Sequence, residues 1–380
     1  MANDKDFILK NPVEVGGPTN VTLGSITGNA INLSTGNYFK DTLAANTTYT
    51  ISNAGDVQSF QVEVTGGLNS YDISNANYDN TSFLVSVAGE SQPYSVSLNP
   101  DGTKMFAMGH HLDRVIEFAL STAFNVSTAS EIATFTGIGS QDNQPLSLEF
   151  KPDGTAMYML GAQNSTVYQY SLSTAYDVST ASYASKSFSV GTQTTDGRSL
   201  NFKPDGTKMY VTERANDTIL QYSLSTAWDV STASYDSVSF SIASQVGNPY
   251  GTIFNQDGTE LFVANYTDNT VYKYTLSTAY DISTTSYSSV SFDLSSQTTT
   301  PTDIFFGNNG QKMYINSAGD DTIYQYTTGS DATLTWPSSI EFAGGVAPAA
   351  PANGETDIFT FSTDDGGTSY IGTKTADNLS

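Results

Sequence analysis

An Asp-Gly dipeptide recurs every 52 residues, and this repeat is the feature that most constrains the fold. Four copies begin at Asp101, Asp153, Asp205 and Asp257, and Asn309-Gly310 follows at the same interval. The surrounding sequence repeats as well, because FKPDGTAMYML at 150–160 returns as FKPDGTKMYVT at 202–212. A period of about 40–50 residues built from short β-strands is typical of β-propeller blades. The five copies therefore predict five blades.

Each repeat has room for four short strands. In the third copy, Leu200 and Phe202 alternate with polar residues, and Asp205-Gly206 turns the chain into the next strand. The last repeat supplies three strands and then stops near Tyr326, whereas residues 81–87 resemble an unattached fourth strand. We therefore predict that 81–87 completes the last blade and closes the ring, which hides an exposed sheet edge.

The blade pattern resembles the YVTN class of propeller repeats. The segment VANYTDNTVYKY at 263–274, which follows Asp257-Gly258, carries the resemblance, and the repeats span residues 68–330. The resemblance implies a propeller without identifying a function, because such propellers serve as scaffolds, binding modules and enzymes.

The residues outside the repeats predict a second, discontinuous domain. Segment 47–67 favours a hairpin, and 357–372 favours another that turns at 364–367. Either segment alone has too few strands for a stable core, so we expect them to fold together. The predicted class is all-β, a five-bladed propeller inserted into an antiparallel β-sandwich-like domain. The predicted domains are an N-terminal attachment arm at 1–35, the discontinuous domain at 36–67 and 331–380, and the propeller at 68–330.

The outer segments carry a second resemblance. NTTYTISNAGDVQSFQVEVTGG at 46–67, joined to TLTWPSSIEFAGGVAPAAPANGETDIFTFSTDDGGTSYIG at 333–372, is similar to β-domains in virion structural proteins of tailed phages, particularly marine ones. The opening segment DFILKNPVEVGG at 6–17 resembles the start of phage fibre or appendage proteins. This implies a virion structural protein without enzymatic activity, either a tail fibre or appendage or a capsid decoration subunit. It implies contacts with other virion proteins through the arm and the discontinuous domain, and contact of the propeller with a host surface glycan. We expect synthesis in the host cytoplasm, because the N-terminus lacks the apolar core of a signal peptide, and location in the virion after lysis.

Composition excludes several functions. The chain has 14 basic and 38 acidic residues and a formal charge of −24, which repels nucleic acid phosphates. It has no cysteine, which excludes disulfides and thiolate chemistry. No apolar run approaches the roughly 20 residues of a membrane span. We expect a homo-oligomer with no cofactor, no metal site and no catalytic residues.

One face of the propeller is the candidate binding surface. Its strand 4-to-1 loops carry a glutamine at period 52, and its strand 2-to-3 loops carry charged or aromatic residues specific to one blade. A ring of amides could bind sugar hydroxyls, or each amide could brace its own loop. The candidate binding residues are Gln141, Gln193, Gln245, Gln297, His110, His111, Arg114, Arg214 and Tyr266.

Two alternatives remain open at this stage. Some five-bladed propellers are glycoside hydrolases with two carboxyl groups about 5–10 Å apart, and Glu149 and Asp303 are the carboxylates predicted on innermost strands. The other alternative is a carbohydrate-binding propeller outside a virion. Structural hydrogen bonding is the simpler interpretation of Glu149 and Asp303, because buried polar groups are usually satisfied in this way.

Overall fold

The computed structural model describes residues 21–43, 46–342, 344–377 and 379. Most of the predicted attachment arm, residues 1–20, lies outside the described residues. Contacts divide the chain into two compact units. One unit combines both ends of the chain, up to Asn69 and from Asp331, and the other is Ser70–Ser330.

The described secondary structure consists of β-strands and short 3-10 helices. The strands before the propeller are β1 (Ile26–Thr27), β2 (Ala30–Asn32), β3 (Tyr38–Thr42), β4 (Thr47–Thr48), β5 (Thr50–Ser52), β6 (Gln58–Thr65) and β7 (Leu68–Asn69). Those of the propeller are β8 (Asn77–Leu84), β9 (Pro93–Leu98), β10 (Lys104–Gly109), β11 (Arg114–Leu120), β12 (Ala129–Phe135), β13 (Pro145–Phe150), β14 (Ala156–Gly161), β15 (Thr166–Leu172), β16 (Ala181–Ser189), β17 (Gly197–Phe202), β18 (Lys208–Glu213), β19 (Thr218–Leu224), β20 (Ala233–Ser241), β21 (Pro249–Phe254), β22 (Glu260–Asn265), β23 (Thr270–Leu276), β24 (Thr285–Asp293), β25 (Pro301–Gly307), β26 (Lys312–Ser317) and β27 (Thr322–Thr327). Those after it are β28 (Ser330–Asp331), β29 (Leu334–Thr335), β30 (Ile340–Phe342), β31 (Thr356–Thr363) and β32 (Tyr370–Ala376). The 3-10 helices are Ile73–Asn75, Val85–Ala88, Val126–Thr128, Gly137–Ser140, Val178–Thr180, Val230–Thr232, Ile282–Thr284 and Asn308–Gly310.

Five four-stranded antiparallel sheets form the propeller. Four of them are β9–β12, β13–β16, β17–β20 and β21–β24, and the fifth combines β25–β27 with β8 from the start of the unit. The predicted all-β fold with five blades is confirmed. The closing strand is also confirmed, with different bounds: β8 covers Asn77–Leu84 and pairs with β27, and residues 85–88 form a 3-10 helix instead.

The Asp-Gly turn and the link between the third and fourth strands form one packing unit. In the second blade, Asp153 Oδ1 accepts hydrogen bonds from the amide of Thr155 at 3.0 Å and from its hydroxyl at 2.6 Å. Gly154 adopts φ +72°, and the Tyr176 ring covers it so closely that a Cβ at 154 would lie 2.2 Å from Tyr176 Cδ2. The repeated aromatic residues of the links therefore pack on the glycine of the turn, which explains why both recur at the same period.

The terminal unit contains a mixed sheet rather than the predicted antiparallel sandwich. Its order is β3-β6-β31-β32-β30. The pairs β6–β31 and β31–β32 are antiparallel, and the predicted hairpin at 357–372 is present as β31–β32. The flanking pairs β3–β6 and β30–β32 are parallel. The antiparallel prediction failed at these pairs because the segments between β3 and β6 and between β30 and β32 are long enough for a crossover, which a parallel pair requires.

The terminal unit has its own hydrophobic core. Phe60 stacks on Phe361 with ring centroids 5.0 Å apart, and Trp336 lies 4.8 Å from Phe361. Ile31 and Leu33, which were assigned to the attachment arm, are buried in the same core. The described part of the predicted arm is thus packed against the rest of this unit.

Candidate functional site

A β-bulge interrupts the innermost strand of every blade at the same repeat position. In the third blade, Gly197 pairs with Glu213 and Ser199 pairs with Thr212, so Arg198 is left without a partner in the ladder. A bulge of this kind redirects a side chain and is common beside functional sites. The residues at this position in the five blades are Tyr94, Leu146, Arg198, Tyr250 and Thr302.

Three of these bulged residues meet across different blades. The rings of Tyr94 and Tyr250 are stacked with centroids 6.5 Å apart. The Arg198 guanidinium carbon lies 4.9 Å from the centre of the Tyr250 ring, a cation–π contact. Residues of the first, third and fourth blades therefore form one cluster where the innermost strands begin.

The ends of the second strands extend this cluster. Arg214 follows β18, and its Nη1 donates to the Tyr250 hydroxyl at 3.1 Å. Tyr266 follows β22 and lies 4.9 Å from the Tyr250 ring, and His110 follows β10 and lies 6.0 Å from the Tyr94 ring. The tyrosine–arginine cluster is defined here as Tyr94, His110, Asp196, Arg198, Arg214, Tyr250 and Tyr266.

Asp196 joins the two guanidinium groups. Its Oδ1 lies 2.6 Å from Arg198 Nη2, and its Oδ2 accepts from Arg214 Nε at 2.8 Å. Burial works against the charge of Arg214, but the hydrogen bonds to Asp196 and Tyr250 outweigh it and raise the Arg214 pKa. Two cations share one anion, so the cluster keeps a net positive charge in a chain whose formal charge is −24.

One guanidinium group has an unused donor. Arg198 Nε is buried and has no hydrogen-bond partner among the described residues. Its side chain is 13% exposed, so the N–H is shielded from bulk water. A buried donor without an acceptor is costly, and an anionic or carbonyl oxygen of a ligand would satisfy it.

The structure brings three of the predicted binding residues into this cluster: His110, Arg214 and Tyr266. It adds Tyr94, Arg198 and Tyr250, which the sequence analysis missed. Adding 52 to Tyr94 reveals their shared repeat position, so a column comparison could have found them. That comparison could not show their convergence, which depends on the bulge.

The other predicted binding residues have different surroundings. Arg114 Nε lies 3.5 Å from the buried Glu90 carboxylate. The amide of His111 donates to Glu90 Oε1 at 2.9 Å, and the His111 side chain is exposed. Both residues therefore engage Glu90, and His111 presents its ring to solvent.

The glutamines at period 52 are half-buried and lie in the strand 4-to-1 loops. Each main-chain N–H closes a turn, as in Gln193, whose amide donates to the Val190 carbonyl at 2.9 Å. Gln141 Oε1 accepts from the Tyr170 hydroxyl at 3.2 Å, and Gln297 Oε1 is 3.5 Å from the Tyr326 hydroxyl. The main-chain bonds hold each glutamine in its own loop, and the side chains of Gln141 and Gln297 also contact a tyrosine of a neighbouring third strand. Glycan binding by the glutamines stays a prediction.

Asp303 occupies a ring of hydrogen bonds between neighbouring innermost strands. At the same repeat position, the Ser147 hydroxyl accepts from the amide of Leu200 in the next blade at 3.0 Å. Ser95 and Ser199 accept equivalent bonds at 3.1 Å. Asp303 Oδ2 performs this role for the Val96 amide at 3.0 Å and also accepts from the Ser95 hydroxyl at 2.7 Å.

Gly251 explains why this ring contains an aspartate. A Cβ at 251 would lie 2.6 Å from Asp303 Cα, so no serine fits there. In the second, third and fourth blades the equivalent amide donates to a serine of the preceding blade. The amide of Ile304 has no such serine and donates to Asp303 Oδ1 at 2.9 Å. The Asp303 carboxylate thus accepts from two amides, that of Val96 in the first blade and that of Ile304 in the fifth. Burial raises the pKa of Asp303 to about 7 although these hydrogen bonds oppose the rise.

Glu149 differs from Asp303 because its carboxylate has no hydrogen bond or ion pair among the residues that the structure describes. Burial raises the pKa of Glu149 to about 8, and the negative charge of Asp303 adds to the rise. No group of three or more His, Cys, Asp or Glu side chains that could hold a metal ion occurs in the described ranges. Within those ranges, no helix is long and apolar enough to cross a membrane.

Comparison with solved structures finds matches of low sequence identity. A protein of unknown function from Desulfotomaculum acetoxidans is 11% identical, covers 75% of this chain and 89% of its own, and has a TM-score of 0.39. Candidate 6-phosphogluconolactonases from Bacteroides uniformis and Bacteroides fragilis are each 13% identical with TM-scores of 0.39. They cover 76% and 77% of this chain and 72% of their own. No curated protein sequence matches the chain.

A family model described as "Lactonase, 7-bladed beta-propeller" matches residues 12–234. This match overturns the prediction of a phage virion structural protein, together with its fibre, decoration and bacteriophage assignments, and the prediction that the chain is not an enzyme. The prediction of a propeller holds, although the family description names seven blades and this chain closes with five. The phage resemblance failed because similar short β-strand segments occur in β-domains of unrelated function. The matched residues are more than half of the sequence, and the chain belongs to this lactonase family of β-propeller proteins.

Proposed function

We propose that the protein hydrolyses a lactone, a cyclic ester, and that the tyrosine–arginine cluster binds it. Membership of the lactonase family supports the reaction class. The position of the cluster supports the location, because its residues come from three blades and converge at the start of the innermost strands. The observation that carries the location is the buried Arg198 Nε, which has no partner among the described residues.

The cluster offers the groups that ester hydrolysis requires. Water adds to the carbonyl carbon, the bond from that carbon to the ring oxygen breaks, and a hydroxy acid forms. Negative charge develops on the carbonyl oxygen, and fixed N–H donors such as those of Arg198 and Arg214 stabilise it. The His110 side chain has no hydrogen bond among the described residues, so its imidazole is available to accept a proton from the attacking water.

The substrate should carry an anionic group. The two guanidinium groups exceed the charge of Asp196 by one, and guanidinium binds carboxylate and phosphate through paired hydrogen bonds. The rings of Tyr94, Tyr250 and Tyr266 offer apolar faces on which a lactone ring can pack. We therefore propose a lactone with a carboxylate or phosphate substituent.

The test is a pH-stat assay with γ- and δ-lactones, each with and without an anionic substituent. Hydrolysis releases a carboxylic acid, so base consumption reports the reaction directly. Wild-type protein should prefer the anionic members. Arg214→Ala should lower kcat/KM for these by about 100-fold, the typical effect of removing one donor to a developing oxyanion.

Two features of the chain keep this test interpretable. Alanine already stands at the equivalent positions 162 and 318, so the Arg214→Ala variant should fold. Lys203→Ala is the matched control, because it also removes one positive charge but lies beside Asp205 at an Asp-Gly turn. Absence of hydrolysis for every lactone, or equal losses in both variants, would contradict the proposal.

A further inference from the structure

A cavity opens in the propeller at the side of the Asp-Gly turns. It has a volume of about 240 Å³. Its wall includes Glu149 and the aromatic side chains of Tyr71, Phe124, Tyr176 and Phe305. At about 30 Å³ for each water molecule, the cavity has room for a ligand of about eight non-hydrogen atoms. None of the tyrosine–arginine cluster lines it.

Glu149 is the acidic side chain of this wall. It stands on β13 at a repeat position that holds Ser97, Asn201, Ile253 and Phe305 in the other blades. Its carboxylate has no hydrogen bond or ion pair among the described residues, and its side chain is partly exposed to the cavity. The other charged group that faces it is Asp303, whose field disfavours a second negative charge. Tyr176 also lies within electrostatic range of Glu149.

Aromatic rings complete the environment of this carboxylate. Phe150 and Tyr176 lie with centroids 5.6 Å apart, and both residues line the cavity. Ring faces carry partial negative charge and attract cations. Aromatic walls around one unpaired carboxylate therefore favour a ligand with a positive charge and an apolar body.

We propose that this cavity binds a small organic cation, a primary or quaternary alkylammonium, with its charge on the Glu149 carboxylate and its alkyl groups against the rings. This site is separate from the proposed lactone site. A bound cation would supply the opposite charge that Glu149 lacks and would offset its repulsion from Asp303. A metal ion fits less well, because a hard cation requires several oxygen ligands and the wall supplies a single carboxylate.

Ionisation of Glu149 makes the binding depend on pH. The pKa of Glu149 is raised to about 8, so a cation must displace its proton at lower pH. Affinity for tetramethylammonium, which does not titrate, should rise by about ten-fold per pH unit from pH 6 to pH 8 and then level off. A site without a titrating acid would show no such slope.

Isothermal titration calorimetry of the full chain with tetramethylammonium chloride and with butylammonium chloride tests the proposal. Both should give saturable binding that Glu149→Gln abolishes. Glu131→Gln is the matched control, because it makes the same change on the exposed surface of β12 and should leave binding intact. Sodium and calcium chloride should give no saturable heat.

A second variant tests the aromatic wall separately. Phe305→Ile copies the residue at the same position in the fourth blade, Ile253, and should weaken binding by roughly two- to ten-fold. A thermal melt of each variant establishes that it is folded, and Glu149→Ser, which copies Ser97, replaces the glutamine variant if that variant does not fold. The proposal is overturned by absent saturation with both ammonium ions, by binding that survives loss of Glu149, or by Glu149-dependent binding of the inorganic cations alone.

Discussion

Two carboxyl groups of the innermost strands differ in the hydrogen bonds that they accept. Asp303 accepts bonds from Ser95, Val96 and Ile304, which favour its charged form. Glu149 accepts none among the described residues and has the higher pKa, about 8 against about 7. The charge of Asp303 adds to the rise at Glu149, so the two carboxyl groups lose their protons as an interacting pair.

The raised pKa of Glu149 predicts that the stability of the protein depends on pH. The unfolded chain releases the Glu149 proton near pH 4.5, and the folded protein holds it until about pH 8. The folded state therefore binds more protons in this window, so stability falls as pH rises through it. Glu149→Gln removes the titration and should exceed wild type in free energy of unfolding by ~2–4 kcal/mol at pH 9, with little difference at pH 4. Urea denaturation at both pH values checks this, and an equal difference at both would contradict it.

Each Asp-Gly turn requires the positive φ that its glycine adopts. Gly154 needs φ +72°, and an added Cβ would also meet the Tyr176 ring. Gly154→Ala should destabilise the protein by ~1–3 kcal/mol, since both the backbone strain and the displaced ring oppose folding. Gly247→Ala is the control, because no atom lies within 4 Å of the position of its Cβ, and it should be close to neutral. Thermal melts of both variants measure the difference. Similar melting temperatures would mean that the turn tolerates a side chain.

At the scale of elements, β8 closes the propeller through side chains as well as through its ladder. Asp79 Oδ2 accepts from Lys312 Nζ at 2.6 Å and from Gln325 Nε2 at 2.8 Å. Asp236 makes the equivalent bonds in the third blade, to Lys208 at 2.7 Å and to a glutamine at 2.9 Å. The two aspartates have similar partners, but β20 follows β19 directly in sequence, whereas β8 lies far from β27 in the sequence.

This topology predicts different responses to the same substitution. Asp79→Ala and Asp236→Ala should each cost ~1–3 kcal/mol, the range for loss of a charged hydrogen-bond acceptor. Only Asp79→Ala should increase amide hydrogen exchange locally in β8 and β27, because these strands can separate without unfolding a connecting link. Hydrogen-exchange mass spectrometry reports this by peptide. Equal local exchange in both variants would show that closure is not the weak point of the ring.

At the scale of the whole molecule, each unit has its own core. The propeller unit is one continuous segment, and the terminal unit consists of the segments before and after it. The strands β7 and β28 pair with each other at the ends of these two segments. The core around Phe60, Trp336 and Phe361 contains no propeller residue. The terminal unit thus meets the requirements for independent folding.

Excision of the propeller tests this independence. Replacement of residues 70–330 by a short Gly-Ser link should leave a soluble protein with a cooperative melt and a β-type circular dichroism spectrum, because the ends of the removed segment already lie side by side. Trp336→Ala in the shortened chain is a control that should weaken it by ~3–5 kcal/mol. An aggregated or unfolded product would show that the terminal unit depends on the propeller.

The sequence by itself determined the blades and most of their strands. A period of 52 residues, alternation in each strand and the turn at each Asp-Gly are local properties, and local properties are readable along a chain. The closing strand was also predictable, because the segment at 81–87 matched a strand missing from the last repeat. The parallel pairs of the terminal unit were not predicted, since strand direction depends on the path of the connections.

Only the tertiary structure decided which residues form the candidate sites. His110, Arg214 and Tyr266 were predicted from the sequence as residues specific to one blade. Arg198 and Tyr250 join them only in the folded protein, because the β-bulges direct both side chains into the same cluster. The roles of Asp303 and Glu149 also depend on the tertiary structure. A hydrogen bond from a neighbouring blade satisfies the Asp303 carboxylate, whereas Glu149 lines a cavity. Closure of the ring brings together residues that are more than 100 positions apart, and a repeat pattern specifies the blades without specifying what meets between them.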